Sequence, residues 1–190
     1  MKNFKIIVFL GVDGAGKSTL IESIIKKNEL KYEKVHFAPD YFRKKKNQIG
    51  NPHNKKYRGI IFSFLKISYW FINYQIFKIV NYNSKKIFFF DRYIYDIIID
   101  PLRYRFSLSN KLTKLIIKFI IKPDLIILLT GNPNKIYSRK KELKLKNMVR
   151  LNNKYMKFIK EFDQKIILNC FDKIDFNKNK VLNYLKKLSL

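Results

Sequence analysis

The sequence predicts an α/β fold of three layers, with helices on both faces of a five-stranded parallel sheet. Two observations carry that expectation. Five short apolar runs, at 5–10, 33–38, 86–90, 124–130 and 165–169, are separated by longer segments of helical character. The first run, Ile6-Ile7-Val8-Phe9-Leu10, leads directly into Gly11-Val12-Asp13-Gly14-Ala15-Gly16-Lys17-Ser18-Thr19. That is G-x-x-x-x-G-K-S, a loop that joins a strand to a helix and wraps phosphates in its backbone.

Each element follows in order. Helix 17–27 reads Leu20-Ile21-Glu22-Ser23-Ile24-Ile25-Lys26-Lys27 after the loop. Strand 33–38 gives way to a polar loop, rich in Lys and Asn, through 57. A long helix is predicted over 58–83. Its apolar run is broken by Lys66, Asn73, Gln75 and Lys78, which argues against a bilayer span and for burial on several faces. Strand 86–90 is Lys86-Ile87-Phe88-Phe89-Phe90. Helical segments are expected at 93–100 and 110–121, then strand 124–130, helices 133–144 and 149–163, strand 165–169 and helix 177–188. Apolar strands alternating with helices make a parallel sheet covered on both sides. No repeat or linker divides the chain, so 1–190 is expected to be one domain.

Ligands in such sheets bind at the carboxyl ends of the strands. The sequence places Pro39-Asp40, Asp91-Arg92-Tyr93, Thr130-Gly131-Asn132-Pro133 and Cys170-Phe171-Asp172 there, beside the glycine-rich loop. Gly11, Gly14 and Gly16 let the loop turn its N–H groups inward. Those donors, the helix N-terminus and Lys17 hold a polyphosphate together. Ser18 offers a hydroxyl to Mg²⁺. Asp91, after four apolar residues, can hold the same ion or its waters. Arg92 can clamp an acceptor phosphate with two parallel bonds.

Composition bounds the rest. Of 190 residues, 47% are hydrophobic, which suits a packed core rather than a disordered chain. The one cysteine, Cys170, excludes an internal disulfide framework. The apolar start is too short for a signal peptide and ends in the loop, so a cytoplasmic setting is expected. The formal net charge is +27. Lys far outnumbers Arg, and Ile, Asn, Phe and Tyr are over-used too; these share A/T-rich codons, so genome bias explains the charge. The lysines are scattered, so no specific nucleic-acid partner is expected. A weak attraction to anionic membrane surfaces stays open as a separate effect. His36 and His53 have no metal-ligand spacing and receive no chemistry.

Taken together, the loop at 11–19, Asp91-Arg92-Tyr93, Pro123-Asp124-Leu125-Ile126-Ile127-Leu128-Leu129 and the helix with Arg139 resemble the thymidylate kinase family in order and spacing over nearly the whole chain. The resemblance implies a P-loop kinase fold, ATP as donor, Mg²⁺, and phosphoryl transfer to a nucleoside monophosphate, thymidylate by default. It implies a homodimer built through helices, which accounts for the apolar helix 58–83. It implies that Gly11, Asp13, Gly14, Ala15, Gly16, Lys17, Ser18 and Thr19 bind the nucleotide, and that Asp13 also bonds the hydroxyl of the acceptor sugar. The alternative for Asp13 is a loop carboxylate capping a neighbouring N–H. Some members carry an arginine where this chain has Gly14. Members without it supply a cation from a mobile lid, expected here near 131–150. Arg139 is the expected catalytic arginine, with Arg150 in reserve; a solvated basic helix face is the alternative.

The departures are informative. The usual proline-glycine-glycine segment is replaced by Phe37-Ala38-Pro39-Asp40-Tyr41-Phe42-Arg43, where Arg43 is expected to take part of the acceptor-binding role. Asp91-Arg92-Tyr93 continues as Ile94-Tyr95-Asp96-Ile97-Ile98-Ile99-Asp100-Pro101-Leu102-Arg103-Tyr104-Arg105. That stretch, with Asn51-Pro52-His53-Asn54-Lys55, resembles a divergent branch associated with surface-polysaccharide genes. A phosphorylated sugar is therefore the rival acceptor. Arg103 and Arg105 either bind a phosphate or sugar or pair with Asp96 and Asp100. A different class of function, a nucleotide-switched P-loop protein binding membranes or polyanions, also remains.

Overall fold

The computed structural model describes residues 3–26, 31–39, 41 and 57–187. Asp40, Arg43, His53 and the segment 51–55 lie outside the described residues. Five strands, β1 (Lys5–Leu10), β2 (Tyr32–His36), β3 (Ile87–Asp91), β4 (Leu125–Thr130) and β5 (Lys165–Asn169), form one sheet in the order β2-β3-β1-β4-β5. Every pairing is parallel. The helices are α1 (Lys17–Ile25), α2 (Ile60–Val80), α3 (Asp96–Ile99), α4 (Asn110–Ile117), α5 (Pro133–Arg139), α6 (Leu145–Phe158) and α7 (Ile174–Lys187). The predicted three-layer α/β/α P-loop fold is the one observed.

The sequence pattern explains the layout. β1, β3 and β4 are continuous apolar runs because both faces are buried. β2 and β5, at the edges, mix polar and apolar positions. Connections from β1 and β4 leave in opposite directions across the sheet, which opens a crevice at their carboxyl ends. The P-loop fills its floor.

Several helix boundaries differ from those expected. The segment at 93–100 contains only α3, because Pro101 forces Asp100 out of helical geometry (φ −131°, ψ 66°). The helix expected over 133–144 ends at Arg139, where Lys140 is extended. The next helix starts at Leu145, four residues earlier than expected, and Ile159–Glu161 closes it as a 3₁₀ turn. α7 starts three residues early, at Ile174. The long helix is Ile60–Val80 rather than 58–83.

α2 seats Ser63, Ile67, Tyr74 and Phe77 against the core. Phe77 and Tyr74 meet Phe4, Phe88, Phe90 and Tyr93 edge-on or stacked. The opposite face carries exposed Ile61, Leu65, Ile72 and Ile79. Gln75 on α2 donates to the Phe119 carbonyl, just beyond α4, so exposed Leu112, Leu115 and Phe119 extend that apolar surface. Among the described residues no helix is long and apolar enough to cross a membrane.

Burial pushes the hydroxyls of Tyr74, Tyr93 and Tyr155 well above their ordinary value. Unfolded tyrosines ionise near 10, so above that pH the native state holds more protons than the unfolded one. Their contribution to stability is whole below pH 10 and is lost as pH rises past it. In an alkaline titration, a block of tyrosinate absorbance is expected to appear together with loss of circular dichroism. Smooth titration of all tyrosines near pH 10 in folded protein would contradict this packing.

Candidate active site

The P-loop leaves β1 at Leu10 and enters α1 at Lys17. A Cβ on Gly11 (φ +137°) would collide with the Leu129 carbonyl of β4, so only glycine lets the loop lie against that strand. Ala15 N–H donates to the Val12 carbonyl at 3.3 Å and closes the turn. Lys17 is 6% exposed. Its ammonium donates to the carbonyls of Gly11 and Val12, both at 2.9 Å. Burial first, and Arg92 second, push its pKa down to about 8, against the pull of Asp13, Asp91 and Asp96. Ser18 and Thr19 occupy exposed positions of the first turn of α1.

β3 delivers Asp91 opposite Phe9 of β1 and His36 of β2. Ser18 Oγ donates to Asp91 Oδ2. A hydroxyl and a carboxylate thus converge where the phosphate loop begins its helix. Both are hard oxygen donors, and Mg²⁺ typically takes one or two protein oxygens and completes its shell with water and phosphate. The pair fits that ion. Among the described residues no three His, Cys, Asp or Glu side chains gather into an all-protein cage.

Arg92 is buried at 3% exposure and has left-handed backbone, φ +75°. Its N–H still donates to the Phe9 carbonyl at 3.0 Å. Its Nη1 donates to Asp96 Oδ2 at 2.9 Å and to the Tyr155 hydroxyl at 3.2 Å. Its Nη2 donates to Asp13 Oδ1 at 2.5 Å. The Tyr155 hydroxyl donates to Asp96 Oδ1 at 3.0 Å, and that of Tyr104 to Oδ2 at 3.4 Å. Burial opposes the guanidinium charge; Tyr155, Asp96 and Asp13 outweigh it and hold the pKa well above the ordinary value.

The second oxygen of Asp13 accepts from Arg103 Nη1. Arg103 lies 3.8 Å from Glu142 Oε2, and Glu142 Oε1 lies 2.7 Å from Lys140 Nζ. Lys140 packs over Gly14: a Cβ there would sit 3.1 Å from Lys140 Cβ. The segment between α5 and α6 therefore covers the P-loop at Gly14.

The structure gathers Asp13, Lys17, Ser18, Asp91 and Arg92 at one edge of the sheet. Arg139 lies elsewhere. Its guanidinium stacks on Phe171, 4.3 Å from the ring centre, and donates to the Cys170 carbonyl at 3.2 Å. Arg150 is exposed on α6. The expected pairing of Arg103 with Asp96 or Asp100 is not the one its guanidinium makes: Asp96 is bonded by Arg92, and Arg103 reaches Asp13 and Glu142. The sequence reading missed Tyr155, Lys140 and Glu142 as members of this cluster, and paired Asp96 with the wrong arginine. Asp96 had a signal, four residues beyond Arg92 with opposite charge. Tyr155 had none.

No protein-family model matches the chain, and no curated protein matches its sequence. Solved structures do match. The thymidylate kinase from Candida albicans aligns with a TM-score of 0.66 over 97% of this chain and 92% of that one, at 18% identity. The chain has the fold of thymidylate kinase. A deoxyadenosine kinase from M. mycoides, solved with bound dATP, aligns at TM-score 0.61 and 20% identity over 96% and 99% of the two chains. The YorR protein from Bacillus subtilis, solved with phosphorylated GDP, aligns at 0.62 and 14% identity over 96% of each. The nucleotide-kinase fold thus spans the chain nearly end to end, and the P-loop cluster sits in it at the β1/β4 crevice.

A polyphosphate meeting Lys17 would raise its pKa from about 8. Between that pH and the bound pKa, binding must take up a proton, so affinity falls as pH rises. Calorimetry of ADP binding in buffers of different ionisation enthalpy should show about one proton taken up at about pH 9. The affinity should drop by up to about tenfold per pH unit above 8. A flat profile to pH 10 would mean Lys17 does not meet the phosphates.

Proposed function

We propose that this chain is an ATP- and Mg²⁺-dependent phosphotransferase that moves the γ-phosphoryl of ATP to a nucleoside monophosphate, thymidylate by default. The single observation that carries the reading is that the P-loop and the Asp91-Arg92 pair are joined directly: Ser18 Oγ donates to Asp91, and Arg92 Nη2 donates to Asp13. Lys17 lies in the loop, and Arg92 is anchored by Asp96 and Tyr155. The first is read as a donor-phosphate cradle and the second as an acceptor-phosphate clamp. The likeness in fold to two kinases supports the same class.

In this reading Lys17 leaves the Gly11 and Val12 carbonyls for the β- and γ-phosphates. The amides of residues 13–18 orient the polyphosphate. Ser18 and Asp91 would hold Mg²⁺, which supplies charge neutralisation of the phosphate oxygens. Arg92 fixes the acceptor phosphate and keeps its orientation because Asp96 and Tyr155 hold the other edge of its guanidinium. The attacking phosphate oxygen is already ionised, so no side chain need act as a strong base. Catalysis is positioning plus stabilisation of spreading charge. Arg139 is the proposed lid cation and would leave Phe171 as the lid closes. Lys140, over Gly14, enters the same space. Arg43 is retained as an acceptor contact. The setting proposed is the cytoplasm, where ATP and monophosphates are both supplied.

Transfer from radiolabelled ATP to a panel of nucleoside monophosphates and sugar phosphates tests the reading. Thymidylate should be turned over and sugar phosphates not; the reverse result transfers the role of acceptor to a phosphorylated sugar. Lys17→Ala should lower kcat about a hundred- to a thousandfold, the scale of losing a transition-state electrostatic contact. Near-wild-type turnover in that variant would end the mechanism.

We propose further that the exposed apolar face of α2, continued by Leu112, Leu115 and Phe119, seats a second copy of the chain. Sedimentation should give a dimer, and Ile61→Glu with Leu65→Glu should give a folded monomer. A monomeric wild-type protein at micromolar concentration would refute this.

A further inference from the structure

Arg103 has no task in the reaction just described, yet it is drawn into the centre of the site. Two guanidinium groups, eleven residues apart in the chain, converge on the two oxygens of one carboxylate. Arg92 Nη2 takes Oδ1 of Asp13 and Arg103 Nη1 takes Oδ2. A carboxylate gripped this way offers its partners what one edge of a phosphate offers. We propose that Arg103 is a second ligand of the acceptor phosphate, and that Asp13 occupies its place until the acceptor arrives. This deepens the phosphotransferase reading and rests on it: the ligand class is a phosphomonoester.

Three observations carry it. First, Arg103 is held on this side by its backbone. Residues 101–106 form a closed turn, with Phe106 N–H on the Pro101 carbonyl at 3.0 Å and Arg105 N–H on that of Leu102 at 2.9 Å. The neighbouring Tyr104 ring stacks on Phe37 at 4.5 Å. Second, the two arginines are not equivalent. Arg92 keeps Asp96 and Tyr155 whatever Asp13 does. Arg103 relies on Asp13, since Glu142 at 3.8 Å is beyond hydrogen-bond length. An arriving dianion therefore exchanges with Asp13 without dismantling the anchor of Arg92. Third, Asp13 belongs to the P-loop, so its release at the acceptor side alters the donor loop as well. A structural clasp between Asp13 and Arg103 is the competing account, and the two differ in sign. If Asp13 is a stand-in, removing its charge leaves two arginines seeking an anion. If it is a clasp, removing its charge damages the site.

Trp70 is the only tryptophan in the chain and lies edge-on to Tyr104, 5.9 Å between ring centres. Its fluorescence reports occupancy beside Arg103. Inorganic phosphate is titrated in a Lys17→Ala background, which weakens the P-loop as a competing site, and thymidylate in otherwise wild-type protein. Arg103→Met should weaken both probes about 10- to 100-fold, the range for one charge-assisted contact. Arg103→Lys, which keeps the charge and loses the fork, should fall between. Asp13→Asn should tighten inorganic phosphate several-fold. Affinities within twofold of the parent in both Arg103 variants would overturn the proposal. So would Asp13→Asn weakening phosphate as Arg103→Met does, or parent protein that binds neither probe. Should Arg103→Met fail to fold by circular dichroism, Arg103→Lys decides. Absence of phosphoryl transfer with Arg103-dependent binding intact overturns the phosphotransferase reading and leaves the anion site standing. Transfer that is normal in both Arg103 variants overturns the anion site and leaves the reading.

Discussion

A guanidinium buried to 3% exposure can neither lose its proton nor go without anions. Arg92 is that group, and the carboxyl edge of the sheet is built around its needs. Its backbone sits at φ +75°, a conformation that costs a non-glycine residue about 1–3 kcal/mol. The strain persists because both ends are fixed. The N–H remains in the ladder with β1, and the side chain is drawn back beneath by Asp96 and Tyr155. Asp13 adds the P-loop as a third anchor. One cation thus ties β3, α3, α6 and the phosphate loop into a single unit.

Charges alternate outward from this centre. Arg92, Asp13, Arg103, Glu142 and Lys140 trace a path of alternating sign from the end of β3 to the cover over Gly14. Every cation on it already holds an oxygen. Substrate phosphates would therefore exchange partners in a neutralised site rather than fall into an uncompensated positive pocket. The strong positive charge of the whole chain is a separate matter, carried by lysines spread over the surface.

What could be read from the sequence depended on how local the determining physics was. β1, β3 and β4 were legible because burial on both faces leaves unbroken apolar runs. β2 was read one residue late because edge strands mix polar and apolar positions, and it ends where Phe37 turns to φ +56°. The helices around 140–145 were misjudged for lack of signals: α6 has no side-chain cap at Lys144, and the lysine-rich stretch carries no glycine, proline or serine to mark a break. Pro101 did mark one, and its effect on Asp100 was underweighted. In the site, the P-loop and Asp91-Arg92 were visible as contiguous motifs. Tyr155, Glu142 and the partners of Arg103 were not, because these contacts join residues 39 to 90 apart in the chain, and only the fold brings them together.

The contact between Gly14 and Lys140 bears on how such sites change over generations. A side chain at position 14 would have to share space with Lys140 and Ile136, and would start from a φ of +84° that disfavours any residue but glycine. A single replacement of Gly14 by arginine therefore meets two barriers at once. The nearer contact falls on Lys140 Cβ, an atom every residue but glycine carries, so shortening the lysine would not relieve it. Position 14 can take a side chain only if the turn itself is rebuilt.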